Sequence, residues 1–189
     1  MTDTLKKDIR DLSLAELKSY LVSIKEKPFR AQQIFDWIYK KGAVSFDELL
    51  NLPQPLKDRL SADFLFEPIN IATELTSEDG TRKFLFDLKD AQQVESVLIP
   101  TKGRTTACIS TQVGCKFGCR FCASGIGGWK RNLTPAEILA QVLHVRKESS
   151  DGRILSHIVF MGIGEPLDNY DTLIRAVDLI NGKEAMELG

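Results

Sequence analysis

Apolar residues in the first third of the chain recur at the spacing of amphipathic helices. Ser13 and Glu16 have the spacing of a capping box, in which each side chain accepts a hydrogen bond from the other residue's backbone amide. The apolar residues that follow are three or four positions apart and share one helical face: Leu14, Leu17, Leu21 and Ile24. The pattern predicts a helix that begins after Ser13.

Three more helices are predicted in this region. One covers about 28–41, with an apolar stripe of Phe29, Ile34, Trp37 and Ile38. Another follows a second capping-box pattern at Ser45 and Glu48, and the last covers 56–64, after prolines that interrupt the pattern. We therefore expect residues 1–66 to form a small helical bundle.

From Ile69 onward the pattern changes to the alternation of β-strands. Strands are predicted over three stretches, the first two joined by an Asp79-Gly80 turn signal: 69–76, 82–88 and 94–99. Residues 67–100 are expected to form a small antiparallel sheet. Residues 100–103 have the composition of a linker, so we place a domain boundary near residue 100.

The remainder of the chain alternates between strand and helix patterns. A strand is predicted over 105–111, and a helix with Thr134 as its N-cap follows. A second strand covers 154–162 and a second helix covers 171–181. This order is typical of a parallel sheet, so residues 101–189 are expected to be an α/β domain.

Composition places the chain among ordinary globular proteins, since 43% of its 189 residues are hydrophobic and 27% are charged. No apolar run approaches the length of a membrane span, and the polar N-terminus has no signal-peptide core. We expect a cytoplasmic protein with no membrane partner. Four cysteines in such a chain favour metal binding or catalysis over a disulfide framework.

Three of the four cysteines lie in a short segment, residues 115–122, which we call the cysteine loop: Cys115, Cys119 and Cys122. Thiolates at C-x3-C-x2-C spacing on a glycine-containing loop can converge on one soft metal centre. No fourth ligand follows at a regular spacing. The pattern therefore allows an iron–sulfur cluster with one open iron, a site completed by a distant residue, or a zinc-binding loop.

The net charge of −1 is unevenly distributed. No acidic residue occurs between Glu95 and Glu137, whereas six basic residues do: Lys102, Arg104, Lys116, Arg120, Lys130 and Arg131. We expect these charges to give the cysteine loop a positive field suited to a polyanionic substrate or an anionic cofactor. A solvated basic surface is the alternative.

Two further features accompany the predicted parallel strands. Gly164 and Glu165 follow the second strand, where parallel α/β sheets commonly bind ligands, although a structural turn is the alternative reading. Cys108 lies on the strand that enters the cysteine loop, and a lone buried cysteine is usually a small apolar residue of the core.

Four stretches carry a resemblance to a known family: Pro28-Phe29-Arg30-Ala31-Gln32-Gln33-Ile34, Cys108-Ile109-Ser110-Thr111-Gln112-Val113-Gly114-Cys115, Gly118-Cys119-Arg120-Phe121-Cys122 and Lys130-Arg131-Asn132-Leu133. They resemble the radical S-adenosylmethionine (SAM) superfamily and, within it, the RlmN/Cfr family of RNA adenine methyltransferases. The resemblance implies an α+β accessory region, made of a helical bundle and a small antiparallel sheet. After it we expect an α/β segment, the first two β/α units of a radical SAM partial TIM-like barrel.

The resemblance also assigns roles to residues. It implies a 4Fe-4S cluster, whose open iron binds SAM, held by Cys115, Cys119 and Cys122. It implies that Gly164 and Glu165 contact the amino group of SAM. Cys108 would be catalytic, exchanging a proton at carbon 2 of a target adenine, and Glu95 matches an acidic position near the site.

The implied reaction is methylation of carbon 2 of adenine in large-subunit ribosomal RNA and transfer RNA, through a methylcysteine intermediate. The implied electron donor is an external protein such as flavodoxin or ferredoxin.

Two features depart from the family. No cysteine follows Cys122, although the family's methyl-carrying cysteine lies close to the C-terminus, and the sequence ends after two β/α units. We therefore expect a fragment that can bind a cluster but lacks the methyl-carrying cysteine. A zinc-binding RNA-interaction module without catalysis is the alternative function. A different radical SAM enzyme is disfavoured by Cys108 and Arg131-Asn132-Leu133.

Overall fold

The computed structural model describes residues 6–149 and 155–188. Within them the chain divides after Pro68. One unit runs up to Pro68 and includes Leu179–Glu187, and the other is Ile69–Asp178 with Leu188. Among the residues described, no helix has both the length and the apolar character needed to span a membrane.

The first unit is helical, as predicted. It contains α1 (Leu14–Ser23), α2 (Arg30–Phe35), which continues as a π-helical turn over Asp36–Lys40, and α3 (Gln54–Asp63). The capping box of Ser13 and Glu16 is present at the start of α1. The helices pack around fully buried side chains, among them Leu17, Leu21, Ile34, Ile38, Leu49 and Leu60.

The helix predicted after Ser45 does not form. Residues 44–52 make bends and turns, although Leu49 is buried as the pattern indicated. Glu48 Oε2 accepts a hydrogen bond from the Val44 amide at 3.0 Å and does not complete a capping box. Because Pro53 limits the segment to fewer than two turns, a helix here would have little propagation to offset its nucleation.

A buried ion pair holds the two ends of this unit together. Arg10 Nη2 lies 2.7 Å from Asp8 Oδ2, and both side chains are almost fully buried. Arg10 also donates to the Glu67 carbonyl, and Asp8 accepts from the Glu67 amide at 2.8 Å. Because every charged group has partners, the pair can be buried without an unmatched charge.

The second unit is built on one five-stranded sheet. In chain order its strands and helices are β1 (Asn70–Thr76), β2 (Arg82–Asp87), β3 (Gln93–Thr101), β4 (Arg104–Cys108), β5 (Gln112–Val113), β6 (Arg131–Asn132), α4 (Pro135–Glu148), β7 (Leu155–Val159) and α5 (Tyr170–Asn181), of which the last three residues belong to the first unit. The strand order in the sheet is β1-β2-β3-β4-β7. Strands β1 to β4 are antiparallel neighbours, and β5 pairs with β6 in a separate ribbon. Strands β4 and β7 run parallel and are connected by α4, as the strand–helix–strand pattern predicted.

The prediction of a linker over residues 100–103 is wrong. Strand β3 continues to Thr101, where it pairs with Arg104, and Pro100 pairs with Thr105. β3 and β4 therefore form a hairpin, and the antiparallel segment and the β/α segment share one sheet. The division between compact units lies at Pro68, not near residue 100.

The two faces of this sheet differ. Residues facing α4 are buried, namely Phe84, Phe86, Val94, Ser96, Leu98 and Ala107. His144 of α4 packs edge-on against Phe84 and Phe86, with ring centroids 5.1 Å away in each case. Because side chains alternate along a strand, Glu95, Val97 and Cys108 occupy the opposite face.

Candidate functional site

Cys108 is the last residue of β4, which lies between β3 and β7 in the sheet. It pairs with Val97 of β3 on one side and with Val159 of β7 on the other. Burial raises the pKa of its thiol, and a hydrogen bond from the Met161 backbone acts in the opposite direction. Cys108 is therefore a half-buried, predominantly protonated thiol at the carboxyl end of a parallel strand.

Glu95 lies on the same face of the sheet as Cys108. Cys108 pairs with Val97, and Glu95 is two residues from Val97 along β3. Diagonal neighbours of this kind are about 7–8 Å apart, within reach of long side chains. The Glu95 carboxylate is 3.1 Å from Lys83 Nζ on the neighbouring strand. The structure thus brings two of the residues singled out from the sequence to one surface.

The segment Gly162–Pro166 packs directly on the chain that leads from Cys108 to the cysteine loop. The amides of Thr111 and Gln112 donate to the Ile163 carbonyl at 3.0 and 3.2 Å. Gly164 has a φ of 103°, and a Cβ added there would lie 2.5 Å from Gln112 Cβ. Only glycine fits this position, because it tolerates the left-handed conformation and the close approach.

Glu165 serves as the N-cap of a short 3₁₀ turn. Its Oε1 accepts from the Leu167 amide at 3.2 Å, and its own amide donates to Gln112 Oε1 at 2.9 Å. Its remaining carboxylate oxygen can accept further donors, such as an ammonium group.

The cysteine loop lies beyond β5 and is largely exposed. Cys115 is half-buried, Cys119 and Cys122 are exposed, and all three are free thiols. The Cys122 amide donates to the Cys119 carbonyl at 3.0 Å, which turns the chain between them. Hydrogen bonds from the Ser124 side chain and backbone lower the pKa of Cys122.

The three thiols do not converge in this structure. Over residues 6–149 and 155–188, no group of three His, Cys, Asp or Glu side chains is arranged to hold a metal ion. The residues nevertheless fit an iron–sulfur cluster in donor chemistry, since three thiolates are its usual protein ligands and the loop leaves them accessible. The hydrogen bonds that lower the pKa of Cys122 also fit this role, because they favour the thiolate, which is the form that binds a metal.

The positive field around the cysteine loop is much weaker than the predicted field of six basic residues, because most of them are distant from it or paired with acidic side chains. Lys102 and Arg104 flank the β3–β4 turn, and Arg104 is about 13 Å from Cys108 at the usual rise of about 3.3 Å per residue. Lys116 Nζ is 2.6 Å from Asp168 Oδ1. Arg131 is bonded to Asp90 at 2.7 Å and Glu137 at 2.8 Å. Exposed Arg120 and Lys130 supply the positive charge that remains.

Apolar side chains are exposed on the same loop region. Phe121 is 93% exposed and Ile126 is 86% exposed, and Phe117 and Trp129 are each 44% exposed. Lys116 Nζ lies 5.9 Å from the Trp129 ring. Trp129 is thus a surface residue and does not belong to the core.

Buried polar residues beneath these loops were not identified from the sequence. Gln141 of α4 accepts from Ser96 Oγ at 2.7 Å and from the Ser110 amide at 3.1 Å. Asn169 donates to the carbonyls of Thr111 and Leu133 at 3.0 and 2.9 Å. Their partners are distant in sequence, so no local spacing could have revealed them.

Two family models match the chain. The ribosomal RNA large subunit methyltransferase N-terminal domain matches residues 7–65, and the radical SAM superfamily matches residues 109–186. The second match includes the cysteine loop, Gly164 and Glu165.

Individual relatives match almost the whole chain. Proteins named probable dual-specificity RNA methyltransferase RlmN are similar to it in Bacillus velezensis (44% identity, 98% of this chain, 52% of the relative) and in Clostridium novyi (45% identity, 97% of this chain, 53% of the relative). A crystal structure of a radical SAM methyltransferase from Sphaerobacter thermophilus matches 97% of this chain and 54% of that one, with a TM-score of 0.91 and 40% identity.

The chain thus spans about half the length of the relatives that it matches. Its fold is that of the corresponding part of a radical SAM methyltransferase. By both family models and by relatives that match it nearly from end to end, the chain is similar to the RlmN family of the radical SAM superfamily.

Proposed function

We propose that this chain binds a 4Fe-4S cluster and SAM, as the SAM-activating part of an RNA adenine methyltransferase. The observation that carries the proposal is that the approach to the cysteine loop and the Gly162–Pro166 segment meet at the carboxyl ends of two parallel strands, β4 and β7. Ligands commonly bind at this edge of α/β sheets. The match of residues 109–186 to the radical SAM superfamily supports the same ligands.

Cys115, Cys119 and Cys122 would hold the cluster through their thiolates. When bound, the cluster supplies the electron for the reductive cleavage of SAM. Glu165 would accept hydrogen bonds from the amino group of SAM, with its backbone fixed by Gln112 and its side chain by the Leu167 amide. Gly164 has no side chain, so the backbone there stays open to a ligand.

Cys108 and Glu95 would exchange protons with the target adenine. The raised pKa of Cys108 keeps its proton on Sγ at neutral pH, so the thiol can donate it. The Glu95 carboxylate lies on the same face and can accept a proton, and Lys83 holds it in position. The sheet face that carries both residues would therefore be the face that receives the base.

For the whole-length protein we propose methylation of carbon 2 of adenine in large-subunit ribosomal RNA and transfer RNA, through a methylcysteine intermediate, in the cytoplasm. The names of the relatives support RNA as the substrate class. A one-electron donor protein such as flavodoxin or ferredoxin would reduce the cluster. Exposed Arg120 and Lys130 suit an approaching phosphate backbone.

The test begins with anaerobic reconstitution of the chain with iron and sulfide. We expect about four iron atoms per chain and cleavage of SAM under reducing conditions. Cys115→Ser, Cys119→Ser and Cys122→Ser should each lose iron. Cys108→Ser is the matched control, because it changes a cysteine of the same site and should retain iron.

Two outcomes would contradict this proposal. Purified chain that holds stoichiometric zinc, takes up no iron and cleaves no SAM would support a zinc-binding RNA-interaction module. If Cys108→Ser lost iron as the three other variants do, the proposal that Cys115, Cys119 and Cys122 hold the cluster and that Cys108 does not would be wrong. Methylation is assayed in parallel with ribosomal and transfer RNA. We expect no methylation by this chain alone, because the proposed methyl carrier is a cysteine of the family other than the four in this chain.

A further inference from the structure

Gln112 occupies an unusual position for a long polar side chain. It follows the approach to the cysteine loop, lies on β5 and is fully buried. A buried carboxamide is costly unless its two N–H groups and its oxygen all have partners. Its contacts therefore indicate what it holds in place.

Both N–H groups and the oxygen of the carboxamide have hydrogen-bond partners. Nε2 donates to Asn132 Oδ1 and to Asp168 Oδ2, each at 2.8 Å, and Oε1 accepts from the Glu165 amide at 2.9 Å. The amide of Glu165 can only donate and the carboxylate of Asp168 can only accept, so these partners fix the orientation of the carboxamide. One side chain thus joins the ribbon β5–β6 to both ends of the Glu165–Asp168 turn.

The contacts continue to the cysteine loop. The second oxygen of Asp168, Oδ1, lies 2.6 Å from Lys116 Nζ, and the Asp168 side chain is only 17% exposed. Lys116 stands between Cys115 and Cys119. A chain of contacts, Glu165–Gln112–Asp168–Lys116, therefore connects the two loops that carry the candidate ligands.

We propose that Gln112 is the positioning residue of this site and sets the placement of Glu165 relative to the cysteine loop through Asp168 and Lys116. This inference rests on the proposed function, since it concerns how SAM would be held near the cluster. Because Gln112 is fully buried and its carboxamide is already bonded to Asn132, Asp168 and Glu165, it would act through other residues. Its effect is to hold the Glu165 backbone in a fixed position relative to the first turn of the cysteine loop.

The first experiment uses the full chain without cofactors and measures amide hydrogen exchange by NMR. In Gln112→Met, which keeps the side-chain length and removes its hydrogen bonds, the Glu165 amide should exchange roughly tenfold faster, which corresponds to losing a bond worth about 1.4 kcal/mol. Lys116→Met should accelerate exchange in the cysteine loop and leave Glu165 unchanged. Lys116→Arg should restore protection because it keeps the ion pair.

Lys130→Met is the matched control, since Lys130 is an exposed lysine near the same loop that should have no effect on Glu165 or the cysteine loop. If Gln112→Met fails to fold, Gln112→Glu tests the same contacts, because it retains the acceptor for Glu165 and lacks the donors for Asp168. Unchanged Glu165 exchange in a folded Gln112→Met chain would overturn the proposal.

The second experiment uses reconstituted protein. Gln112→Met should retain iron, bind SAM about tenfold more weakly and give a smaller change in the electron paramagnetic resonance spectrum of the reduced cluster on SAM addition. Loss of iron and SAM binding together would show a general loss of structure and contradict a positioning role. If wild-type chain binds no cluster, the proposed function fails, while the exchange measurements still decide whether Gln112 joins the loops.

Discussion

At the scale of single residues, Cys108 shows how burial and position act on one thiol. Its location on a strand follows from the sequence pattern, although the predicted strand extended to residue 111 and β4 ends at Cys108, and its pKa follows from the packing around that end. The sequence supplies the strand but not the partners, because Val97, Val159 and Met161 come from other parts of the chain. This is why the default interpretation, a core residue, and the catalytic one could not be separated from the pattern alone.

The alkylation of Cys108 provides a test of this environment. With Cys115, Cys119 and Cys122 changed to serine, Cys108 is the one thiol, and its reaction with iodoacetamide should rise with pH through a midpoint above its ordinary pKa of 9.0. The reason is that burial disfavours the thiolate, which is the reactive form. Mass spectrometry gives the rate at each pH. The same variant unfolded in urea is the control, and a folded midpoint equal to or below the unfolded one would contradict the assignment.

His144 should make the sheet unit sensitive to mild acid. Burial against Phe84 and Phe86 lowers its pKa, with smaller opposing effects from Glu148 and Glu74 and reinforcing ones from Lys147 and Arg82. A group with a depressed folded-state pKa contributes stability above its unfolded pKa of about 6.5, and that contribution is lost as pH falls toward the folded value.

Urea unfolding at pH 7.5 and 5.0 measures the effect. His144→Leu should lose less stability between the two pH values than the wild-type chain does. His157→Gln, at an exposed position on β7, is the matched control and should keep the wild-type pH dependence. Equal pH dependence in His144→Leu and wild type would mean that His144 is not responsible.

At the scale of elements, signals carried by neighbouring residues were predicted well. The capping box of Ser13 and Glu16 forms at the start of α1 as its spacing indicated, and Thr134 is the N-cap of α4 as predicted. The same spacing at Ser45 failed because the segment is too short and Glu48 binds the Val44 amide. A capping box stabilises the start of a helix but does not create the turns that must follow it.

The base of the cysteine loop depends on one glycine. Gly114 has a φ of 71°, and a Cβ there would lie 1.8 Å from the Gly128 carbonyl oxygen. Gly114→Ala should therefore lower the free energy of unfolding by about 1–3 kcal/mol, through strain and displaced backbone. Chemical unfolding measures the change.

Gly127→Ala is the matched control for this prediction. Gly127 is in the same region, has no atom within 4 Å of an added Cβ and has no positive φ. We expect it to change stability by no more than about 0.5 kcal/mol. Equal effects of the two substitutions would contradict the close approach at Gly114.

At the scale of the whole molecule, the sequence predicted the kinds of elements but not how the sheet joins them. Pro100 suggested a break, since proline cannot donate in a sheet. In the structure, the pairing of β2 with β3 stops at Leu98, so Pro100 lies where β3 has β4 as its only strand neighbour. The missing donor is tolerated there, and the hairpin can form. Strand pairing between distant segments is set by the assembled sheet, which a local pattern does not contain.

The continuous sheet predicts that residues on both sides of position 100 unfold together. In native-state hydrogen exchange at increasing urea concentrations, amides of β3 and β4 should share one opening free energy, because the strands are neighbours within the same sheet. Amides of β1, an edge strand whose residues are all exposed, should open more easily and provide the internal comparison.

If residue 100 were a domain boundary instead, β2 and β3 would open as one group and β4 and β7 as another. Separate opening free energies for β3 and β4 would therefore contradict the single unit, while a common value would place the proposed adenine-facing residues, Glu95 and Cys108, within one cooperative element.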